Sequence, residues 1–139
     1  MNVGPIVIVD ADLSFCQLYT DIINAIGVDN ELRFFDTSQK ALDYLKTTDE
    51  KPFIIFSEIN LPGLNGLKLK EAIQADGSLR EKGIPFIFIS TNIHAETVHN
   101  AHQLNVQGYF EKPRDLAYVE QMMVKIFEYW ELCKHINNT

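Results

Sequence analysis

The chain has 139 residues, 46% of them hydrophobic and 22% charged, and carries a formal net charge of −7. That length suits one domain with a genuine core, and the composition is ordinary for a soluble globular protein. The acidic balance and the scatter of the twelve cations exclude a nucleic-acid backbone binder, which needs clustered Lys and Arg; no apolar run approaches a membrane span. Cys16 and Cys133 lie near opposite ends without metal-ligand spacing, and no charged segment followed by an apolar one precedes the first strand. A cytoplasmic location is expected.

Residues 5–9 form a continuous apolar run, as expected for a parallel strand covered on both faces. Phe15, Leu18, Ile22 and Ile26 follow as one helical stripe, with Gly27 as a stop. After a second run at 32–35, Thr37 or Ser38 can cap a helix whose inner face is Ala41, Leu42 and Leu45. The third run, 53–56, precedes a helix marked by Leu69, Ala72 and Ile73 and ending near Asp76-Gly77. A fourth run, 85–89, leads to a helix marked by Ala95, Val98 and Ala101. The fifth, 109–110, leads to a last helix striped by Leu116, Val119, Met123, Ile126, Trp130 and Cys133. Tyr118, Met122 and Phe127 fall off that stripe and are expected to be partly exposed. Strand alternating with helix five times predicts an open α/β sheet with helices on both faces.

In such sheets chemistry sits outside the carboxyl ends of the strands. The first strand ends in Asp10-Ala11-Asp12, the third in Glu58 and the fourth in Ser90-Thr91-Asn92, while the fifth leads to Glu111-Lys112-Pro113. Carboxylates that close raise one another's pKa unless a cation intervenes, so Lys112, a metal ion or both must supply positive charge. The set matches the needs of phosphoryl transfer: carboxylates for Mg²⁺, a nucleophilic carboxylate, and a hydroxyl and ammonium for the phosphoryl oxygens. Simpler roles compete. Asp12 opens a helix and reads best as its N-cap. A buried Glu58 needs a partner, and an ion pair with Lys112 would supply one. Ser90 is read equally well as bonded to a backbone carbonyl, and Tyr109 as a packed edge aromatic. His94, His99 and His102 lack a third ligand at suitable spacing and suit an exposed face.

These strand ends, together with Asn60 and the segment Leu61-Pro62-Gly63-Leu64-Asn65-Gly66, resemble the receiver domain of two-component response regulators along essentially the whole chain. The resemblance implies a flavodoxin-like (βα)5 three-layer sandwich with a five-stranded parallel sheet of order 2-1-3-4-5. It places Glu58 at the phosphoacceptor position, Asp10 and Asp12 in the acidic pocket, and Asp10, Glu58 and Asn60 at the metal. Ser90 and Tyr109 match the switch pair, and Lys112-Pro113 matches the salt-bridging lysine, with a cis peptide implied. Expected partners are a histidine kinase, a phosphotransfer protein or a separate effector, and the fourth predicted helix, fifth strand and fifth predicted helix offer a homodimer surface. Residues 1–139 are expected to be one receiver domain with no output domain, acting in signalling and not as an enzyme.

Two departures point the same way. Ala11 stands where the resemblance implies a second acid, so Mg²⁺ binding is expected to be weakened or lost. Glu58 stands where it implies aspartate and extends the carboxylate by roughly 1.5 Å, against a catalytic tolerance of about 1 Å. An atypical pseudo-receiver with impaired phosphorylation is the expectation. The competing reading, a haloacid-dehalogenase-type Mg²⁺-dependent phosphatase with Asp10 as nucleophile and Asp12 as acid/base, leaves Glu58 and the loop after it unexplained.

Overall fold

The apolar runs pair into one five-stranded parallel sheet, order β2-β1-β3-β4-β5, in a computed structural model that describes residues 4–134. The ends of the predicted domain, residues 1–3 and 135–139, lie outside the described residues. Along the chain come β1 (Ile6–Val9), α1 (Leu13–Ala25), β2 (Leu32–Phe35), α2 (Ser38–Thr47), β3 (Ile54–Ser57) and α3 (Gly66–Ala75). There follow α4 (Gly77–Lys82), β4 (Phe86–Ser90), α5 (Ala95–Gln103), β5 (Gly108–Glu111) and α6 (Leu116–Leu132). This is the expected flavodoxin-like architecture.

The two-residue period of a strand makes the three layers. Ile6 and Ile8, with Ile54, Phe56, Ile87 and Ile89, face one side, where Tyr19 and Ile23 of α1 and Met123 and Trp130 of α6 cover them. Val7, Val9, Ile55, Phe86 and Phe88 face the other, beneath Leu42 of α2, Leu69 and Ile73 of α3, Leu79 of α4 and Ala101 of α5. The three central strands are buried along their whole length, which explains their unbroken apolar sequence. The edge strands β2 and β5 stay partly exposed. Arg33, paired with Glu31 at 2.5 Å and Glu50 at 2.7 Å, puts charge on the β2 edge, a common protection against pairing with another chain.

The helices correct the sequence reading in four places. The buried face of α1 is Cys16, Tyr19, Ile22 and Ile23, while Phe15, Leu18 and Ile26 are half-buried. Tyr19 turns that face inward by stacking on Phe56, ring centroids 6.3 Å apart. A short helix, α4, follows α3 without a loop: Asp76 closes α3 and its side chain accepts from Leu79 N to cap α4. In α5 only Ala101 is buried, since Ala95 is exposed and Val98 half-buried. In α6 Phe127 is buried edge-on against Phe56 at 6.0 Å, Leu116 is exposed and Cys133 is a half-buried C-cap. Tyr118 is exposed and Met122 half-buried, as expected. Thr37 is the cap of α2, and Gly27 follows α1 at φ +85°.

Candidate functional site

Register brings the polar strand ends to one rim. Val9 lies beside both Phe35 and Ser57, Ser57 beside Phe88, and Ser90 beside Glu111. The ladder continues one residue further, with Asp10 N–H donating to Phe35 O (2.9 Å), Glu58 N–H to Val9 O (2.9 Å) and Lys112 N–H to Ser90 O (2.8 Å). Asp10, Glu58 and Lys112 are thus fixed by the sheet, not by mobile loops. The chain after Glu58 turns back across it through Gly66, whose N–H donates to Ile59 O at 2.8 Å. A Cβ on residue 66 would sit 2.3 Å from the Glu58 carbonyl oxygen and 2.8 Å from the Phe88 ring. Only glycine permits that approach.

At the centre is a buried triad. Lys112 Nζ lies 2.8 Å from Asp10 Oδ2 and 3.3 Å from Glu58 Oε2, and none of the three side chains is more than 8% exposed. The Phe15 ring centroid is 4.3 Å from the same ammonium. Glu58 Oε1 accepts from Ile59 N–H (2.8 Å), Asn60 N–H (3.4 Å) and the Ser90 hydroxyl, and Oε2 also accepts from Thr91 N–H (3.4 Å). Asp10 Oδ1 accepts from Asp12 N–H at 2.9 Å. The Ser90 hydroxyl accepts in turn from Asn92 N–H at 2.9 Å. Tyr109 donates its phenol to the Asn92 carbonyl and packs on Phe88 at 5.7 Å.

Charge balance in the triad is uneven, two carboxylates to one ammonium. Burial pushes the Asp10 carboxyl above its usual range, against the pull of Lys112. Burial also draws the Lys112 ammonium down, but its bond to Asp10 and the charges of Asp10 and Glu58 outweigh that and leave it raised. Lys112 therefore stays a cation at neutral pH. Burial raises the Cys16 thiol to about 11, so the sulfur beneath Asp10, 3.7 Å from its carbonyl oxygen, remains a thiol.

The structure brings together Asp10, Glu58, Ser90 and Lys112, with Tyr109 linked through Asn92. Asp12 is not part of the cluster: it is exposed and its carboxylate caps α1 by accepting from Phe15 N–H at 3.1 Å. That removes the acid/base of the phosphatase reading. Asn60 is exposed and meets Glu58 only through its N–H. The implied cis bond at Pro113 is corrected, because no peptide among the described residues is cis; the trans form, favoured by about 0.5–1 kcal/mol before proline, already delivers Lys112 to both acids. Phe15 and the N–H groups of Ile59 and Thr91 were not anticipated as site members. Backbone donors leave no sequence signature, whereas Phe15 could have been placed by its position five residues after Asp10, on the first turn of a helix leaving the rim.

Comparison with known proteins converges on one family. The family model described as response regulator receiver domain matches residues 6–124. Chemotaxis protein CheY-3 of Vibrio cholerae serotype O1 is 30% identical over 123 residues, 88% of this chain and 91% of its own length. Response regulator Rcp1 of Synechocystis sp. is 24% identical over 130 residues, 90% of this chain and 87% of that protein. Among solved structures, the phosphorylated cyanobacterial phytochrome response regulator RcpA superposes with a TM-score of 0.85 at 23% identity, covering 95% of this chain and 96% of that one.

Proposed function

This chain belongs to the response-regulator receiver family, and on that premise we propose that it is an atypical receiver, signalling through protein contact with phosphorylation impaired at Glu58. One observation carries the reading: the Glu58 carboxylate already holds the Ser90 hydroxyl and the Lys112 ammonium. Those are the groups a phosphoryl group on this residue would recruit. The carboxylate imitates that group in part, with one charge and two oxygens against about −1.5 to −2 and three oxygens for a phosphate.

The donor set argues against a resident Mg²⁺. Each oxygen of Asp10 and Glu58 already accepts at least one protein hydrogen bond, and Ala11 brings no side-chain oxygen. A cation that demands near-ideal octahedral oxygen coordination would have to displace these donors. Among the described residues no group of three or more His, Cys, Asp and Glu is placed to hold a metal. The buried ammonium of Lys112 serves as the cation of the site.

The surface around the site suits a protein partner, in keeping with a family that works by contact with histidine kinases or effectors and generally not as enzymes. Leu13, Leu64, Ile93 and Leu116 are exposed beyond the strand ends, Leu64 and Ile93 in the connections after β3 and β4 and Leu13 and Leu116 at the first positions of α1 and α6. A groove of about 550 Å³ between α1 and β2 extends the same rim past Leu13 and Phe34. On α6, Tyr118, Tyr129 and Leu132 are exposed, which supports the α5–β5–α6 face as the proposed homodimer surface. No helix among the described residues is long and apolar enough to cross a membrane, and the cytoplasm is the location proposed for the protein.

Intact-mass measurement after incubation with acetyl phosphate and Mg²⁺, on the wild type and Glu58→Asp in parallel, tests the reading. The wild type is expected to stay unlabelled and the variant to gain one phosphoryl group. A labelled wild type would overturn the proposal. Two unlabelled proteins would locate the defect in Ala11 as well, and Ala11→Asp in the Glu58→Asp background would then restore labelling.

A further inference from the structure

At the opposite end of the sheet, α3, α4 and the turn before β5 enclose a second cavity, of about 250 Å³. Its chemistry runs against that of the whole molecule. Lys70 and Arg80 line it and no acid does, in a chain of net charge −7. Lys70 occupies the inner face of α3 with Gly66, Leu69 and Ile73, and is only 6% exposed. The ion pairs among the described residues use Arg33, Lys40, Lys68 and Lys112, and Lys70 is in none of them. Its ammonium lies over the Phe86 ring instead, 5.4 Å from the centroid. A ring face offsets a fraction of what an ammonium loses on leaving water, whereas an anion offsets most of it. Burial accordingly pulls the Lys70 pKa down, with no opposing charge.

The rim is built to complete an anion site. Arg80 is pinned there by Nη1, which donates to Gln74 O at the end of α3 at 2.8 Å, and its remaining N–H groups are donors to spare. Gln107 is fixed by its Oε1, which accepts from Phe86 N–H at 2.7 Å, and by its amide nitrogen, which donates to Asn105 O at 3.4 Å and keeps a second N–H. Leu79 and Ile84 supply an apolar wall. The volume lies below the roughly 300–1,000 Å³ of sites for drug-sized molecules, which limits the occupant to a small one.

We propose that this cavity binds a small oxyanion, a phosphate or carboxylate group on a short body, held by Lys70 from inside and by Arg80 from the rim. The proposal is independent of the Glu58 reading, since the two sites lie at opposite ends of the strands.

The test titrates the full chain with inorganic phosphate and, separately, with butyrate, against sodium chloride at matched ionic strength. Lysine ε-CH₂ resonances and the unfolding midpoint are followed together. A saturable shift of one lysine signal and a rise in midpoint are expected with at least one probe, and which probe acts identifies the headgroup. Lys70→Met should abolish both effects. Arg80→Gln, at an exposed position, should weaken binding about tenfold or more, the usual worth of a hydrogen bond to a charged group. Glu58→Gln should leave it unchanged. Chloride acting as strongly as either probe, or binding that survives Lys70→Met, would overturn the proposal.

Discussion

Two lysines are buried at opposite ends of this sheet, and they are accommodated in opposite ways. Both ammonium groups sit over aromatic rings, Lys112 at 4.3 Å from Phe15 and Lys70 at 5.4 Å from Phe86. Only Lys112 has carboxylates, Asp10 at 2.8 Å and Glu58 at 3.3 Å. Its pKa ends above the ordinary lysine value, while that of Lys70 ends below it. Burial is common to both, so partners decide whether a buried charge is held or merely tolerated. A paired lysine is a structural member of its site; an unpaired one is a vacancy in charge that a ligand can fill.

The largest expected effect is on the paired side. Lys112→Met leaves two buried carboxylates facing each other and should cost about 3–5 kcal/mol in urea unfolding; a loss below about 1 kcal/mol would dissolve the contrast. Lys70→Met should instead stabilise the protein by about 1–2 kcal/mol in buffers free of phosphate and carboxylates, since an apolar side chain replaces an unpaired charge. Destabilisation there would show that the ring contact alone satisfies Lys70.

The pH dependence sharpens the same comparison. Lys112 has a folded pKa above 10.5, so its contribution is complete below that value and is lost as pH rises through the folded pKa. Lys70 has a folded pKa below 10.5, so the unfolded chain holds that proton more firmly and stability rises with pH through the window ending at 10.5. Neither slope exceeds about 1.4 kcal/mol per pH unit. Unfolding of the two Met variants across this alkaline range should show one slope without the other; identical profiles would remove the distinction. Smallest is Asp12→Ala, which should cost about 1 kcal/mol as a lost cap. A loss above about 3 kcal/mol would return Asp12 to the site.

The two ends also differed in how plainly the sequence announced them. The rim carrying Glu58 was legible because strand ends fall where apolar runs stop, and a polar residue immediately after such a run has one place to go. Strand ends point to Asp10-Ala11-Asp12, Glu58, Ser90-Thr91-Asn92 and Glu111-Lys112-Pro113, and the family resemblance singles out Asp10, Glu58, Ser90 and Lys112 among them. Lys70 was not, because a lysine interrupts the apolar stripe that marks a helix face. Its spacing did hold the signal: residues 66, 69, 70 and 73 follow the i, i+3, i+4, i+7 pattern of an inward face, and all four are buried. Exact helix faces were less legible than strands. Phe15, Leu18, Ile22 and Ile26 form an acceptable stripe in α1, yet long-range stacking of Tyr19 on Phe56 set the rotation. Phe127 was likewise buried by Phe56, a residue of β3 far earlier in the chain. Helix α4 escaped notice because Asp76-Gly77 signals a stop equally well whether a loop or another helix follows.

The order of the chain gives the triad a consequence for folding. Glu58 and Lys112 are 54 positions apart, and Lys112 arrives one residue after the last strand. Until β5 docks, Asp10 and Glu58 share a rim with no counter-ion, and ring closure over so long a segment is slow compared with local helix formation. Final docking of β5 and α6 therefore both closes the sheet and neutralises its repulsive edge. A chain cut before residue 108 would keep four strand sequences and lose the charge that lets two of them end side by side.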